Sequence, residues 1–204
     1  MDLALFDFDG TITTVETYPP FIAAATARWR IALGYPPLAP LILAYRRGLI
    51  TGNPVRAAIA RVAFTGADAA SIEAIGETFA KTGLPPLVRP EAMARIHAHR
   101  RRGDTVVIVS GNFDVLLEPW ARAHDLPVLC SRLERRDGRM TGRYDGAQCV
   151  RGEKVRRIRE AFDLSQFERI HAYGDTAEDT GMLGIAHHPY YQRIPNADEG
   201  LLAT

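Results

Sequence analysis

Asp7 and Asp9 stand two residues apart at the end of the apolar run Leu3-Ala4-Leu5-Phe6, and Gly10-Thr11 follow at once. Apolar residues closed by a turn signal read as a buried strand. Side chains alternate along a strand, so these two carboxylates project to the same side, with Phe8 opposite. Two acids side by side at the end of a buried strand are costly unless a cation or an exchanging proton lies between them. The pair therefore suits a nucleophile, a proton-transfer group and a divalent-metal site in one place. Three more segments offer matching groups: Ser110 with Gly111 and Asn112 after the run Val106–Val109, Lys154 in a basic stretch, and Gly174-Asp175-Thr176-Ala177-Glu178-Asp179 after Ile170–Tyr173.

The elements that must position these groups alternate. Residues 105–109 and 169–173 read as strands, with a short strand near 128–130 and a last one near 185–187. Helical patterns cover 91–102, 114–124, 152–162 and 178–184, and Asp137-Gly138 marks a hairpin within 133–144. In 91–102, residues Arg95, Arg100, Arg101 and Arg102 read as a solvated face. This rhythm predicts an α/β protein with a doubly wound parallel sheet, and such sheets place ligands beyond the carboxyl ends of their strands. Residues 14–88 differ: helical stretches rich in Ala, Leu, Ile and Arg lie between Pro and Gly breaks, so an inserted helical cap is expected there. The core is then 1–13 with 89–204. Asp68 and Ser71 are candidate caps of one cap helix.

Composition bounds the function. The 204 residues carry 25 basic and 24 acidic side chains, a net charge of +1 that gives no argument for nucleic acid. Cys130 and Cys149 form no disulfide or zinc pattern and read as free thiols. The first strand begins at once and no apolar run is long enough to span a bilayer, so a cytoplasmic location without stable membrane insertion is the expectation. Leu38–Tyr45 followed by Arg46-Arg47 reads either as a cap core helix with a polar end or as an interfacial helix. Oligomeric state has no signature.

Asp-x-Asp-Gly-Thr, an apolar strand ending in Ser, a lone Lys and Gly-Asp-Thr-x-x-Asp, in that order over essentially the whole chain, resemble the haloacid dehalogenase superfamily. Within it the chain looks like the phosphoserine-phosphatase-like members, which carry a helical cap between the first two motifs. The resemblance implies a Rossmann-like core and Mg²⁺-dependent hydrolysis of a small phosphorylated substrate. Asp7 is then the carboxylate that becomes an aspartyl-phosphate, and Asp9 the acid and base. Asp7, the Asp9 backbone carbonyl and Asp175 would hold the metal. Ser110, with nearby N–H groups such as those of Gly111 and Asn112, would bind phosphate oxygens, and Lys154 would supply positive charge. Asp179 would orient Lys154 or metal-bound waters. Thr11 and Thr176 either bind phosphate or cap.

Asp9 favours a phosphatase over dehalogenases and ion pumps, and the 133–144 hairpin argues against a phosphomutase. Glu16 occupies the place where phosphoserine phosphatases read an amino group. Arg46, Arg47, Arg56 and Arg61 compete for the carboxylate-reading role, with Arg56 taken as the candidate. Ser110-Gly111-Asn112 and Gly10 depart from the phosphoserine pattern. A phosphatidylglycerophosphate or other lipid head-group phosphatase is the alternative substrate reading. A phosphomutase and a phospho-ligand binding protein without turnover are the less favoured readings.

Overall fold

A computed structural model describes residues 1–196 and 199; the remaining tail positions of the expected core lie outside the described residues. The chain runs β1 (Leu3–Phe6), α1 (Tyr18–Ala25), α2 (Arg28–Gly34), α3 (Ala39–Arg46), α4 (Gly52–Phe64), α5 (Ala69–Thr82), α6 (Pro90–Arg101) and β2 (Thr105–Phe113). It continues through α7 (Asp114–Ala123), β3 (Val128–Ser131), β4 (Leu133–Arg136), β5 (Arg139–Tyr144), α8 (Gly152–Ala161), β6 (Ile170–Gly174), α9 (Thr180–Gly184) and β7 (His188–Tyr191).

Five strands form one parallel sheet in the order β3-β2-β1-β6-β7, with β1 at its centre. From β1 the chain first builds outward on one side and then on the other. The switch point therefore falls at the carboxyl end of β1, where Asp7 emerges. Both sheet faces are covered, which is why β1 and β2 read as nearly continuous apolar runs. Leu3, Leu5, Val107 and Val109 face a core shared with Ile158 of α8 and Met182 of α9. Ala4, Phe6, Val106 and Ile108 face the opposite core with α6 and α7, and that same cluster takes in Phe21, Ile22, Ala60 and Phe64 of the helical insert. Phe113 ties the two parts together, lying edge-on to Phe64 and stacked on Tyr144.

The insert leaves and rejoins the core side by side. Thr13 bridges Val88, Thr14 N–H donates to the Leu87 carbonyl at 2.8 Å, and Arg89 N–H donates to the Ile12 carbonyl at 2.8 Å. Asp68 caps α5 by accepting from Ser71 N–H at 2.8 Å. Asp137 and Gly138 both take positive φ, 49° and 74°, as a two-residue hairpin turn with matching twist requires.

Several sequence expectations are corrected. β2 runs on to Phe113 rather than stopping before Ser110, because Phe113 still pairs with Ser131 of β3. The last strand is His188–Tyr191, not 185–187, and pairs with β6 through His171–His188 to Gly174–Tyr191. Arg95 is not on a solvated face. Its side chain is fully buried, donates from Nε to the Tyr173 hydroxyl at 2.7 Å, and lies against the Tyr173 and Tyr190 rings. Leu38–Tyr45 is not a core helix either, since α3 buries no residue. Both cysteines are free and buried.

Candidate active site

After β1 the backbone makes one wide turn, closed by Thr13 N–H donating to the Phe8 carbonyl at 3.0 Å. Within it Gly10 takes φ +77°, and a Cβ there would meet Asp175 Oδ2 at 2.1 Å. Glycine is required on both counts, conformation and space. The turn carries Asp7 and Asp9 to the sheet's carboxyl edge. Lys154 reaches them from the first turns of α8, and Asp175 and Asp179 from the loop after β6.

Lys154 Nζ donates to Asp7 Oδ1 at 2.5 Å and to Asp179 Oδ1 at 2.6 Å, and all three side chains are buried. Although Lys154 lies in a basic stretch, its side chain is 2% exposed rather than part of a solvated face. Two carboxylates hold the ammonium firmly cationic, raising its pKa against the opposing effect of burial. Burial pushes the Asp7 carboxyl well above the usual range, against the pull of Lys154. Asp7, Asp175 and Asp179 bring one oxygen each within 4.8 Å of one another. Hard carboxylate oxygens gathered in this way are the donor type that Mg²⁺ prefers. Asp175 is raised as well, by burial and then by Asp179.

Asp9 projects into the same cavity but is held differently. Its Oδ1 accepts from Thr17 N–H at 2.8 Å and from the Thr17 hydroxyl at 2.6 Å; its Oδ2 accepts from Asn112 Nδ2 at 2.9 Å. Burial raises its pKa, and these three hydrogen bonds restrain the rise. Asn112 also donates to the Thr17 hydroxyl at 2.9 Å, which closes a small buried network. The Asn112 amide is thus engaged with Asp9 and Thr17. Thr17 was not singled out in the sequence. A lone threonine eight residues after Asp9 matches no motif spacing, and its one signal is its place just before the Pro-rich start of α1.

The two threonines left open both hold acids. Thr11 Oγ1 donates to Asp175 Oδ1 at 3.3 Å. Thr176 donates through its N–H and its hydroxyl, each at 3.0 Å, to Asp179 Oδ2. Asp179, so committed, orients Lys154. Ser110 is buried in the cavity wall, and its Oγ accepts from Asn112 N–H at 3.2 Å. Gly111 leaves room for Val150, whose Cγ1 would stand 2.6 Å from an added Cβ.

Asp7, Asp9, Ser110, Lys154, Thr176 and Asp179 line a cavity of about 470 Å³, whereas Thr11 and Asp175 line a second one. Glu16, Arg46 and Arg56 line the first; Arg47 and Arg61 are not among its lining residues. Tyr18, Tyr35, Ile42 and Val55 form an apolar wall contributed by the insert. Arg56 is already engaged: it donates to Glu178 at 2.8 Å, Asn53 at 2.9 Å and Gln148 at 3.0 Å. Glu16 is raised by burial and by Asp9.

Fold and site together define a Rossmann-like α/β enzyme whose carboxylate–lysine centre lies beneath an inserted helical layer. The chain belongs to the haloacid dehalogenase-like hydrolase family, whose profile matches residues 4–184. It is 37% identical over 193 residues to protein CicA of Caulobacter vibrioides, spanning 93% of this chain and 85% of that one. It is 31% identical over 189 residues to phosphoserine phosphatase SerB2 of Mycobacterium tuberculosis, spanning 90% of this chain but 42% of that longer one. Among solved structures, a Bordetella pertussis Tohama I protein of unknown function superposes with a TM-score of 0.75 at 25% identity, over 93% of this chain and 88% of the other. A substrate-bound phosphoserine phosphatase shares the fold, with a TM-score of 0.65 at 19% identity over 91% and 82% of the two chains. Among the described residues no helix is long and apolar enough to cross a membrane.

Proposed function

We propose that this enzyme is a phosphomonoesterase that works through an aspartyl-phosphate on Asp7, acting on a small phosphorylated metabolite. The observation that carries this reading is the buried Asp7–Lys154–Asp179 bridge at the carboxyl end of β1. Phosphoryl transfer asks a protein for a positioned nucleophile and for positive charge around the transferring group. The bridge supplies both, because Lys154 fixes the Asp7 carboxylate and neutralises charge beside it.

In the first half-reaction an Asp7 oxygen bonds to phosphorus as the ester P–O bond breaks. Asp9 gives its proton to the departing oxygen. Burial raises its pKa, the direction that favours an acid able to carry a proton to the leaving oxygen. In the second half-reaction water bonds to phosphorus while Asp9 takes its proton, and the bond from Asp7 to phosphorus breaks. Phosphate leaves, and both acids return to their starting states. Asp7, Asp175 and the Asp9 backbone carbonyl would hold Mg²⁺, whose charge would offset that of the phosphate oxygens. Ser110 and the backbone of Gly111 line the place where those oxygens would lie.

The similarity to phosphoserine phosphatases supports a phosphoserine-like substrate, whose amino group Glu16 in the cavity wall would read. Arg56 enters the cavity as part of a pair with Glu178, so a carboxylate-bearing substrate would have to compete for it. The test is phosphate release in Mg²⁺ across phosphoserine, sugar phosphates, nucleotides and phosphatidylglycerophosphate in liposomes, with Asp7→Asn as control. One ester cleaved far faster than the rest, and lost in the control, is the expected result. Release unchanged by Asp7→Asn would overturn the assignment.

A further inference from the structure

Residues 27–50, which carry α2 and α3, contain no buried residue. Their polar side chains are limited to Arg28, Arg30, Arg46, Arg47 and two tyrosines. The rest is Trp, Leu, Ile, Ala, Pro and Gly. Among the described residues, five of the eight exposed large apolar side chains belong to this stretch: Trp29 at 62%, Leu33 at 72%, Leu43 at 46%, Tyr45 at 43% and Leu49 at 72%. Inner positions are accounted for. Arg30 donates to the Thr65 carbonyl at 2.7 Å at the end of α4, and Gly34 lies against Val62. Trp29 and Leu33, one turn apart on α2, are left on the outside.

Charge is segregated in the same way. Between Glu16 and Asp68 the chain has six arginines and no acid, whereas the remainder holds nineteen basic and twenty-four acidic side chains. An exposed apolar patch of this kind marks a protein partner or a lipid surface. A protein interface carries a polar rim of hydrogen-bonding side chains. Here the stretch has no Asp, Glu, Asn, Gln, Ser, Thr, His or Lys. Trp, Tyr and Arg around aliphatic side chains are the composition of a surface that lies in the head-group layer of a bilayer.

We propose that residues 27–50 form a docking surface for anionic lipid membranes. Leu33, Leu43 and Leu49 enter the head-group boundary, and the exposed Arg28, Arg46 and Arg47 meet lipid phosphates. Tyr35, Ile42, Tyr45 and Arg46 of the same stretch line the active-site cavity, so docking brings the cavity's rim to the bilayer. The attachment is independent of whether the site hydrolyses phosphate.

The full chain reports on this directly, because its other tryptophan, Trp120, is 2% exposed. Flotation is done with vesicles of phosphatidylcholine alone and of equal parts phosphatidylcholine and phosphatidylglycerol. The anionic vesicles are expected to capture the protein, shift its Trp emission to the blue, and release it as salt screens the arginines. Capture by the neutral vesicles is expected to be about tenfold weaker. The combined variant Leu33→Ser, Leu43→Ser and Leu49→Ser alters exposed side chains only. Its melting midpoint and its hydrolysis of soluble p-nitrophenyl phosphate should be unchanged, and its capture reduced about tenfold. Absence of capture by anionic vesicles at low salt would overturn the proposal. So would capture that the leucine variant leaves intact, or self-association without lipid that gives the same Trp shift.

Discussion

Thr17 donates both its N–H and its hydroxyl to a single carboxylate oxygen of Asp9, at 2.8 and 2.6 Å. Asp9 belongs to the turn after the central strand, and Thr17 to the first residues of the helical insert. The orientation of the acid is therefore set by the element that covers the site. Asn112, at the far end of β2, holds the other oxygen.

Thr17→Val should keep the N–H bond and lose the hydroxyl bond. Proton delivery by a positioned acid contributes about 10²- to 10⁴-fold, so loss of one positioning bond is expected to lower kcat about tenfold for an alkyl phosphate. p-Nitrophenyl phosphate, whose leaving group needs little protonation, should suffer less in the first half-reaction. Kinetics on the two esters check this; an equal loss of kcat/KM on both would show that Thr17 does not act through proton delivery.

Lys154→Met should remove the one cation between Asp7 and Asp179. Activity is expected to fall at least about 10²-fold, as when a charge-stabilising donor is removed. Breaking a buried ion pair from one side also costs about 3–5 kcal/mol of stability. Urea unfolding of the purified variant should show that loss.

Buried histidines make stability depend on pH. His99 Nδ1 contacts Asp104 at 2.9 Å and its Nε2 contacts the Tyr173 hydroxyl at 2.9 Å, an arrangement that suits the neutral ring. Burial lowers its pKa to about 4, and His171 is lowered for the same reason. An unfolded histidine titrates near 6.5. The unfolded chain therefore takes up a proton first as pH falls. The contribution of His99 is fully present above about 6.5 and is lost between there and about 4, by at most about 3 kcal/mol. Melting midpoints should fall across that window, and His99→Gln should flatten the fall, leaving the smaller slope from His171.

Arg151, one residue before α8, has φ +52° and ψ −127°, a region that favours glycine. Its side chain is exposed, so Arg151→Gly should relieve the strain and raise stability by about 1 kcal/mol. Denaturant midpoints of the two proteins decide it.

Much of this centre was legible because its parts sit at strand ends and helix starts, where local signals are strongest. Asp7, Asp9, Lys154, Asp175 and Asp179 were found by residue type and order, and the structure brings them to one edge of the sheet. The doubly wound core was legible from its apolar runs. What escaped depends on contacts distant in sequence. Thr17 has its role because the insert folds back to meet Asp9. Arg95 lies on a helix with three neighbouring arginines, and partners distant in sequence, the Tyr173 hydroxyl and the Tyr173 and Tyr190 rings among them, draw it inward. The segment Leu38–Tyr45 has the apolar content of a core helix, yet no layer of this fold lies over it. Glu178 and Gln148 became visible only once Arg56 was seen to bind them.

The central claim is that phosphate passes through Asp7. Its most direct test is to mix enzyme with excess of a cleaved phosphomonoester and Mg²⁺, quench in acid within the first turnover, and locate any bound phosphoryl group by peptide mass spectrometry. A phosphoryl group on the peptide bearing Asp7, formed no more slowly than the first product and missing in Asp7→Asn, is the expected result. Turnover with no phosphoryl group on Asp7, or with one on another residue, would contradict the account.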